Sequence, residues 1–277
     1  MYEIVFRDSH EGMAVPQYNE AFNVLSHGSK VFGRVRVPAR KDDDALCPVV
    51  ILFHGHPGGD RMADMAHFLR EVGYATISFS YRGLWGSHGY YCMSHNIEDA
   101  FSVTEWVREN AERLHFDPER IYLFGHSMGG FSVLNAVADG LKVRGVIVMA
   151  PCNLGYTYLY NQEEFLDLME CKSNGYFNLP SDDYMEQDTA ENAEKWHFPN
   201  LVPRLDKSIP YRIIGAAKDV TTPPKAHVYP MYEKMVENGY DVEYIELNDG
   251  HMFPESRIEL ACRVIAYLNE MEDQHGN

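Results

Sequence analysis

The chain has 277 residues and carries 24 basic against 41 acidic side chains, a formal net charge of −17. A surface this acidic repels phosphate backbones and anionic headgroups, which excludes nucleic acids and membrane surfaces as partners. The sequence has no apolar run of the roughly 18 residues that a membrane helix needs, and it has no signal-peptide pattern. Its five scattered cysteines form no CxxC pair, so we expect a cytoplasmic globular protein.

Strands and helices alternate along the sequence. Two strands are predicted around the turn signal at 27–29, and the continuous apolar run at 47–55 is typical of a strand buried on both faces. Further strands are predicted over the segments 74–83, 120–125, 143–151, 211–219 and 241–250, with helices between them that include a long amphipathic helix over 95–114. This alternation predicts βαβ units and therefore a doubly wound, mostly parallel sheet of eight strands.

One interval interrupts the alternation. Residues 152–210 separate two strands by nearly sixty positions, several times the usual connection length. The interval is too rich in aromatic residues for a solvated loop, so we expect a cap on a core formed by residues 1–151 and 211–277; an insertion packed beside the sheet is the alternative. Between 161 and 195 it has ten acidic residues and two lysines, which is typical of a solvated exterior and would also disfavour anionic substrates near the entrance.

The motif that indicates chemistry is Gly125-His126-Ser127-Met128-Gly129, of the form G-x-S-x-G. A predicted strand runs directly into it and a helix of small residues follows, which is the strand–turn–helix setting of a nucleophile elbow. Such a tight turn would place the Ser127 hydroxyl above the sheet. An incidental serine in a glycine-rich turn is the alternative interpretation.

A serine hydroxyl is a poor nucleophile at neutral pH and needs a base within hydrogen-bond reach. His251 follows the last predicted strand and Asp219 follows the strand before it, the order expected for the base and its orienting acid. Asp249 lies only two residues from His251 and would point away, and Glu246 is a further alternative acid. The other C-terminal histidines, for which surface roles are expected, are His227 and His275.

The first buried strand ends in a loop of sequence HGHPGG, residues 54–59. A tetrahedral oxyanion needs two fixed N–H donors, one from the residue after the nucleophile and one from this loop. These would be the backbone amides of Met128 and His56. The alternatives are an ordinary Gly/Pro loop and a metal site at His54 and His56, but no further ligand cluster completes such a site. We expect neither a metal nor a cofactor.

Together these residues resemble the α/β-hydrolase superfamily. The resemblance covers about residues 20–272 and includes HGHPGG, SYRGLWGSHG, FDPERIYLFGHSMGG, GAAKDVTTPP and DGHMF, in the expected order. Within the superfamily the chain resembles the prolyl-oligopeptidase and acylaminoacyl-peptidase-like branch, which feruloyl and other carboxylesterases share. The resemblance implies Ser127 as nucleophile, His251 as base and Asp219 as orienting acid. It also implies His56 and Met128 as oxyanion donors.

Fewer than fifty residues precede the first buried strand, so we expect no β-propeller of the kind that prolyl oligopeptidases carry. A free-standing serine esterase for small to medium, aryl or apolar substrates is then expected. The alternatives are amidase, aminopeptidase-like or acyltransferase activity through the same residues, and an inactive fold that binds ligands. The expected partner is a small-molecule ester, and a homodimer is compatible with the sequence. The side chains expected to line the substrate pocket are Trp85, Tyr156, Tyr158 and Trp196.

Overall fold

The computed structural model describes residues 11–58 and 62–273, and within them eight strands form a single sheet. The strands are β1 (Tyr18–Ser26), β2 (Ser29–Val37), β3 (Cys47–Phe53), β4 (Ala75–Phe79), β5 (Phe116–His126), β6 (Gly145–Met149), β7 (Tyr211–Ala216) and β8 (Val242–Leu247). Their order in the sheet is β1-β2-β4-β3-β5-β6-β7-β8. β2 runs antiparallel to both of its neighbours, and the remaining pairs are parallel. The predicted eight-stranded, mostly parallel sheet is confirmed.

Helices connect most of the strands. They are α1 (Ala63–Glu71), α2 (Met93–Glu109), α3 (Ala111–Leu114), α4 (Met128–Ala138), α5 (Leu154–Tyr160), α6 (Gln162–Glu170), α7 (Tyr184–Trp196), α8 (Phe198–Leu201), α9 (Pro224–His227), α10 (Tyr229–Glu237) and α11 (Arg257–Asp273). The helix expected over 95–114 is divided at Asn110, whose φ of −101° and ψ of 7° depart from helical values; its side-chain amide donates to the Trp106 carbonyl at 2.8 Å. None of the helices in the described ranges is long and apolar enough to cross a membrane.

The helices cover both faces of the sheet. All seven residues of β3 are buried. Val49 and Ile51 pack on the face that α2 and α4 cover, whereas Val50 and Leu52 pack on the face that α1 and α11 cover. Because β3 has no solvated face, its sequence is apolar throughout and does not alternate. This double covering leaves the carboxyl ends of the parallel strands as the edge at which a site can form.

The insertion at 152–210 contains α5 to α8 and two 3-10 turns, Cys171–Asn174 and Val202–Arg204. Its buried side chains, among them Phe165 and Trp196, join the hydrophobic cluster on the α2 and α4 face. Since α7 contacts α2, and α8 contacts α4 and α10, this half of the insertion packs beside the sheet. The part around α6 and the first 3-10 turn borders a cavity at the carboxyl edge.

Two glycines allow α4 to start against the end of β3. A Cβ atom on Gly129 would lie 1.9 Å from the Phe53 carbonyl oxygen, and one on Gly125 would lie 2.5 Å from the Gly129 carbonyl oxygen. These neighbours are backbone atoms, so no change of rotamer can relieve the overlap. The glycines are therefore required by the close approach of two backbones.

We expect Gly129→Ala to lower the free energy of unfolding by at least about 3 kcal/mol, the upper part of the range for overpacked sites. Urea unfolding of the two proteins measures this difference. Gly250→Ala is the matched control, because a Cβ atom there meets nothing within 4 Å. Equal losses of stability in the two variants would contradict the close-approach explanation.

Candidate active site

Ser127 lies in the sharp turn between β5 and α4. Its φ of 54° and ψ of −118° belong to a region that residues other than glycine rarely adopt. Backbone hydrogen bonds hold this conformation: the Ser127 N–H donates to the Met149 carbonyl at 2.9 Å, and the Ser127 carbonyl accepts from the Cys152 N–H at 3.0 Å. The turn thus places Ser127, which is 8% exposed, at the wall of two cavities at the carboxyl edge.

His251 and Asp219 follow β8 and β7 and form a hydrogen-bonded pair. The His251 Nδ1 atom lies 2.8 Å from Asp219 Oδ2, and the Asp219 side chain is fully buried. A carboxylate only accepts hydrogen bonds, so Nδ1 carries a proton and Nε2 is the ring nitrogen that can accept one. His251 lines the same cavity as Ser127. In the described structure the side chains of Ser127 and His251 make no hydrogen bond to each other. Hydrogen bonds between catalytic residues commonly shorten only when substrate binds.

The buried Asp219 carboxylate accepts hydrogen bonds from three further groups besides His251. Its Oδ1 accepts from the backbone N–H groups of Thr221 at 2.8 Å and Thr222 at 2.9 Å, and its Oδ2 accepts from the Thr222 hydroxyl at 2.9 Å. Burial raises the pKa of Asp219, but the hydrogen bond and charge of His251, together with the Thr222 and Thr221 N–H groups, outweigh it and lower the pKa to about 2. The carboxylate is therefore ionised wherever the protein is folded at ordinary pH.

Two neighbouring side chains support this pair. The Thr222 hydroxyl lies 3.2 Å from His251 Nδ1 as well as beside Asp219. The His126 Nε2 atom lies 3.0 Å from the His251 carbonyl oxygen, which can only accept, so His126 donates and fixes the loop that carries His251. Thr222 was not identified from the sequence, although a hydroxyl three residues after the acid is the signal that could have found it.

The alternative acids are directed elsewhere. The Asp249 Oδ2 atom accepts from the backbone N–H groups of Glu255 at 3.0 Å and Ser256 at 2.8 Å, which stabilises the loop leading into α11. The Glu246 Oε2 atom accepts from the Tyr229 hydroxyl at 3.0 Å. Asp249 is thus turned away from His251, as the sequence spacing predicts.

The surface role expected for His227 is wrong. His227 is fully buried, and its Nδ1 accepts from the Asn153 backbone N–H at 2.9 Å. Its Nε2 lies 2.8 Å from Glu164 Oε1, so the ring joins α9 to α6. The error has a simple cause, since a short helix gives no periodicity from which burial could be inferred. His275 lies outside the described residues.

Two backbone amides next to Ser127 are available to a ligand. Met128 is the first residue of α4, where a backbone N–H has no acceptor within the helix. No described residue accepts a hydrogen bond from the N–H of Met128 or of His56. His56 lines both cavities that contain Ser127. Gly59, the last residue of the HGHPGG loop, lies outside the described residues.

The imidazoles of that loop are occupied by protein groups. The His54 Nδ1 atom lies 2.7 Å from the Gly55 carbonyl oxygen, and the His56 Nδ1 atom lies 3.0 Å from the Tyr91 hydroxyl. Burial, with a smaller effect of His54, lowers the pKa of His56 to about 3, so this ring is neutral. Over the described ranges, no group of three or more His, Cys, Asp or Glu side chains is placed to hold a metal ion.

Two cavities adjoin Ser127. The first, of about 310 Å³, is lined by the loop at 55–58 together with Met62, His251 and Met252. The second, of about 350 Å³, lies between the α6 region and the loop after β7, and its walls include Glu164, Leu168 and Thr222. Ser127 and His56 belong to both, so the candidate nucleophile stands where the cavities meet.

The structure corrects the prediction that four aromatic side chains line this pocket. Trp196 is 1% exposed and packs on Phe131 in the core, with ring centroids 5.1 Å apart. Tyr156 borders a separate groove, Tyr158 packs on Phe165, and Trp85 donates its Nε1–H to the Pro57 carbonyl at 2.6 Å. An aromatic-rich insertion must first bury its own apolar surface, and these side chains are used for that. The apolar cavity walls missed by sequence analysis include Met62, Leu168 and Met252.

This sheet order, with a serine on a strained turn and an acid and a histidine after the last two strands, is the arrangement of the α/β-hydrolase fold. The chain is of that type, as its motifs predict. Residues 44–178 match the family described as "Serine aminopeptidase, S33". The comparisons with curated proteins and with solved structures agree with this class.

The curated relatives match over a limited part of the chain. An "Uncharacterized 31.7 kDa protein in traX-finO intergenic region" of Escherichia coli is 35% identical over 105 residues, 36% of each chain. The "Lysophosphatidylserine lipase ABHD12" of Xenopus tropicalis is 32% identical over 93 residues, 32% of this chain and 23% of the relative. A "Probable N-octanoylanthranilate hydrolase AqdA2" of Rhodococcus erythropolis is 32% identical over 124 residues, 39% of this chain and 27% of the relative. The match thus spans little more than a third of these proteins at most.

Solved structures share the fold at low sequence identity. Est1E from Butyrivibrio proteoclasticus has a TM-score of 0.68 at 19% identity, with 91% of this chain and 99% of that chain covered. Brefeldin A esterase has a TM-score of 0.71 at 15% identity, covering 99% and 86%. The acylaminoacyl peptidase of Pyrococcus horikoshii has a TM-score of 0.68 at 16% identity, covering 92% of this chain and 42% of that one. Esterases and an acylaminoacyl peptidase therefore share this fold.

Proposed function

We propose that the chain is a serine hydrolase that cleaves carboxylic esters through an acyl-enzyme intermediate. The observation that carries the proposal is the buried Asp219 carboxylate hydrogen-bonded at 2.8 Å to His251, whose ring opens onto the same cavity as Ser127 on its strained turn. A base with a fixed tautomer beside a serine is the arrangement that nucleophilic catalysis by a hydroxyl requires. The names of the similar esterases and of the lipase are consistent with it.

The reaction follows from the roles of these groups. Ser127 Oγ attacks the ester carbonyl while His251 Nε2 accepts the hydroxyl proton, and Asp219 stabilises the resulting imidazolium. The carbonyl oxygen, now negatively charged, accepts hydrogen bonds from the backbone N–H groups of His56 and Met128. His251 then gives its proton to the leaving alcohol oxygen as the C–O bond breaks. In the second half, His251 deprotonates a water molecule that attacks the acyl carbon, and it returns this proton to Ser127 Oγ as the bond between that oxygen and the acyl carbon breaks.

The walls of the two cavities support a substrate of small to medium size. The 310 Å³ cavity has an apolar wall at Met62 and Met252, which suits an aryl or alkyl group. The 350 Å³ cavity has Glu164 and Asp167 at its wall, and these carboxylates disfavour an anionic group there. A neutral ester with one apolar substituent satisfies both conditions. The acidic wall belongs to the insertion, which on this proposal acts as a cap over part of the site.

Amidase or aminopeptidase activity with the same residues is the second candidate. It is favoured by the match of residues 44–178 to the family described as "Serine aminopeptidase, S33". The same triad cleaves esters and amides, and the harder step for an amide is protonation of the departing amine by His251. Substrate comparison therefore decides between the two.

We expect neutral p-nitrophenyl esters of medium acyl length to be hydrolysed with a higher kcat/KM than the acetate ester, because a longer acyl chain buries more apolar surface in the cavity. Steady-state rates over a series of acyl lengths measure this, with matched aminoacyl p-nitroanilides and thioesters as comparison substrates. A higher kcat/KM for anilides than for the matched esters would replace the esterase proposal by the aminopeptidase one. Transfer to an added alcohol in place of water would indicate an acyltransferase.

A further inference from the structure

The His56 side chain is held on three sides. Its ring stacks on Phe177, with centroids 4.7 Å apart and an interplanar angle of 28°. Its Nδ1 lies 3.0 Å from the Tyr91 hydroxyl, and its Nε2 contacts the Cys171 thiol. Both ring nitrogens and one ring face therefore have protein partners. Few rotations of the ring remain open, and none of these partners was identified from the sequence.

The polar contacts of His56 form one directed chain of hydrogen bonds. The Asn96 side-chain amide donates to the Tyr91 hydroxyl at 2.9 Å, so that hydroxyl can donate its own proton to His56 Nδ1. His56 Nε2 then carries the ring proton and donates to Cys171, whose thiol donates to the Leu168 carbonyl at 2.9 Å. The Tyr91 hydroxyl has a second, weaker acceptor in Met93 Sδ at 3.8 Å, and the tautomer with the proton on Nε2 pairs it with the stronger acceptor, His56 Nδ1. This series of hydrogen bonds thus connects α2, through the HGHPGG loop, to the end of α6.

The segment 171–178 is also anchored to the core beside this loop. The Tyr91 N–H donates to the Asn178 carbonyl at 2.9 Å, and the Asn178 N–H donates to the Gly83 carbonyl at 2.7 Å. Leu84 and Phe177 form an antiparallel β-bridge. These backbone contacts fix Phe177 and Tyr91 relative to each other, so the two side chains that hold His56 belong to one rigid unit.

We propose that Phe177 and Tyr91 are positioning residues for the oxyanion site: by fixing the His56 ring they fix the peptide group of His56, and hence the direction of its backbone N–H towards Ser127. The proposal rests on the proposed function, because it concerns the N–H that would stabilise the oxyanion. It gives the segment 171–178 of the insertion a part in the chemical step as well as in the pocket. A donor contributes most when its position is fixed before the charge develops.

The first test compares Phe177→Ala with the wild-type protein on a neutral aryl ester. Complete loss of one oxyanion donor lowers kcat by about 10²- to 10³-fold, so a loosened donor should lower kcat by about 10- to 100-fold. KM should change by less than about threefold, since ground-state binding does not use this N–H. Phe177→Tyr keeps the stacked ring and should recover most of kcat. Tyr160→Ala is the matched control, an exposed aromatic residue of the same insertion that borders neither Ser127 cavity.

A second measurement separates positioning from a merely structural role. An aryl trifluoromethyl ketone forms a tetrahedral adduct with the serine and places an oxyanion in the site, whereas the matching methyl ketone binds without that charge. In Phe177→Ala the inhibition constant of the fluorinated ketone should rise in proportion to the loss of kcat, and that of the methyl ketone should stay within about twofold. Thermal unfolding of each variant shows that the protein is folded.

Several results would overturn the inference. One is a folded Phe177→Ala protein with wild-type kcat, and another is a rise in KM alone, which would make Phe177 a substrate wall. If Phe177→Ala does not fold, Tyr91→Phe decides: it removes a single oxygen atom, and an unchanged kcat and ketone inhibition constant would contradict the proposal. A wild-type protein that hydrolyses no ester and reacts with no fluorophosphonate would instead contradict the proposed function, which keeps the two failures distinct.

Discussion

Ser127→Ala is expected to lower ester turnover by about 10⁴-fold or more, because the substitution removes the oxygen that would form the acyl-enzyme. Alanine adopts the same backbone conformation no less readily than serine, so the midpoint of thermal unfolding should stay within a few degrees of the wild-type value. Steady-state rates and labelling by a fluorophosphonate probe measure the effect. The wild-type protein should be labelled, and the variant should not.

Ser132→Ala provides the matched control for the nucleophile. Ser132 is also buried on α4, but its hydroxyl donates to the Met128 carbonyl at 2.9 Å and borders neither of the two Ser127 cavities. Turnover by the Ser132→Ala variant should stay within about tenfold of the wild-type value, since no reacting atom contacts the Ser132 side chain. Persistent turnover in Ser127→Ala, or equal losses in the two variants, would remove the proposed mechanism.

Asp219→Asn is expected to lower kcat by about 10³- to 10⁴-fold. The amide that replaces the carboxylate has no negative charge to stabilise an imidazolium, and it can donate to Nδ1, which favours the tautomer with the proton on Nε2. His251 would then present a protonated nitrogen to Ser127 and could not act as a base. The ionised state of Asp219, with its pKa of about 2, makes the carboxylate the relevant form at any working pH.

Asp249→Asn is the control for the acid. Its carboxylate accepts hydrogen bonds from the Glu255 and Ser256 N–H groups, so the expected consequence is a loss of stability of about 1 kcal/mol, as for a lost helix cap. Turnover should fall by less than about tenfold. A larger loss of turnover in Asp249→Asn than in Asp219→Asn would show that the acid was assigned to the wrong carboxylate.

The sequence alone determined the sheet, because burial on both faces leaves a direct trace in it. The seven residues of β3 are apolar and all are buried, and β4 and β7, which also contain polar residues, are buried throughout as well. It also predicted which polar residues would meet. Ser127, Asp219 and His251 each follow a strand, and the carboxyl ends of parallel strands come to the same edge whatever the length of chain between them. Their catalytic roles stay a prediction until turnover is measured.

Where the local sequence signal was weak or absent, only the tertiary structure showed where a helix ends or whether a side chain is buried. Helix α2 ends at Asn110, whose side-chain amide contacts the Trp106 carbonyl, and helical periodicity over 95–114 does not reveal this break. His227 is buried beside Glu164, which lies sixty-three positions earlier in the chain. Neither contact has a periodic pattern that could predict it.

The pocket is the clearest case of a feature that only the tertiary structure fixes. Composition indicated an apolar insertion, and Trp196 and Tyr158 were expected to face the substrate, yet both pack on core aromatics. How apolar a segment is can be read from its residues, whereas the side to which each residue points depends on the elements that pack against it. The contact of His56 with Phe177 joins positions far apart in the chain, and the sequence carries no local trace of it. The sequence therefore determined which strands the candidate catalytic residues follow, and long-range packing determined which side chains line the cavities around them.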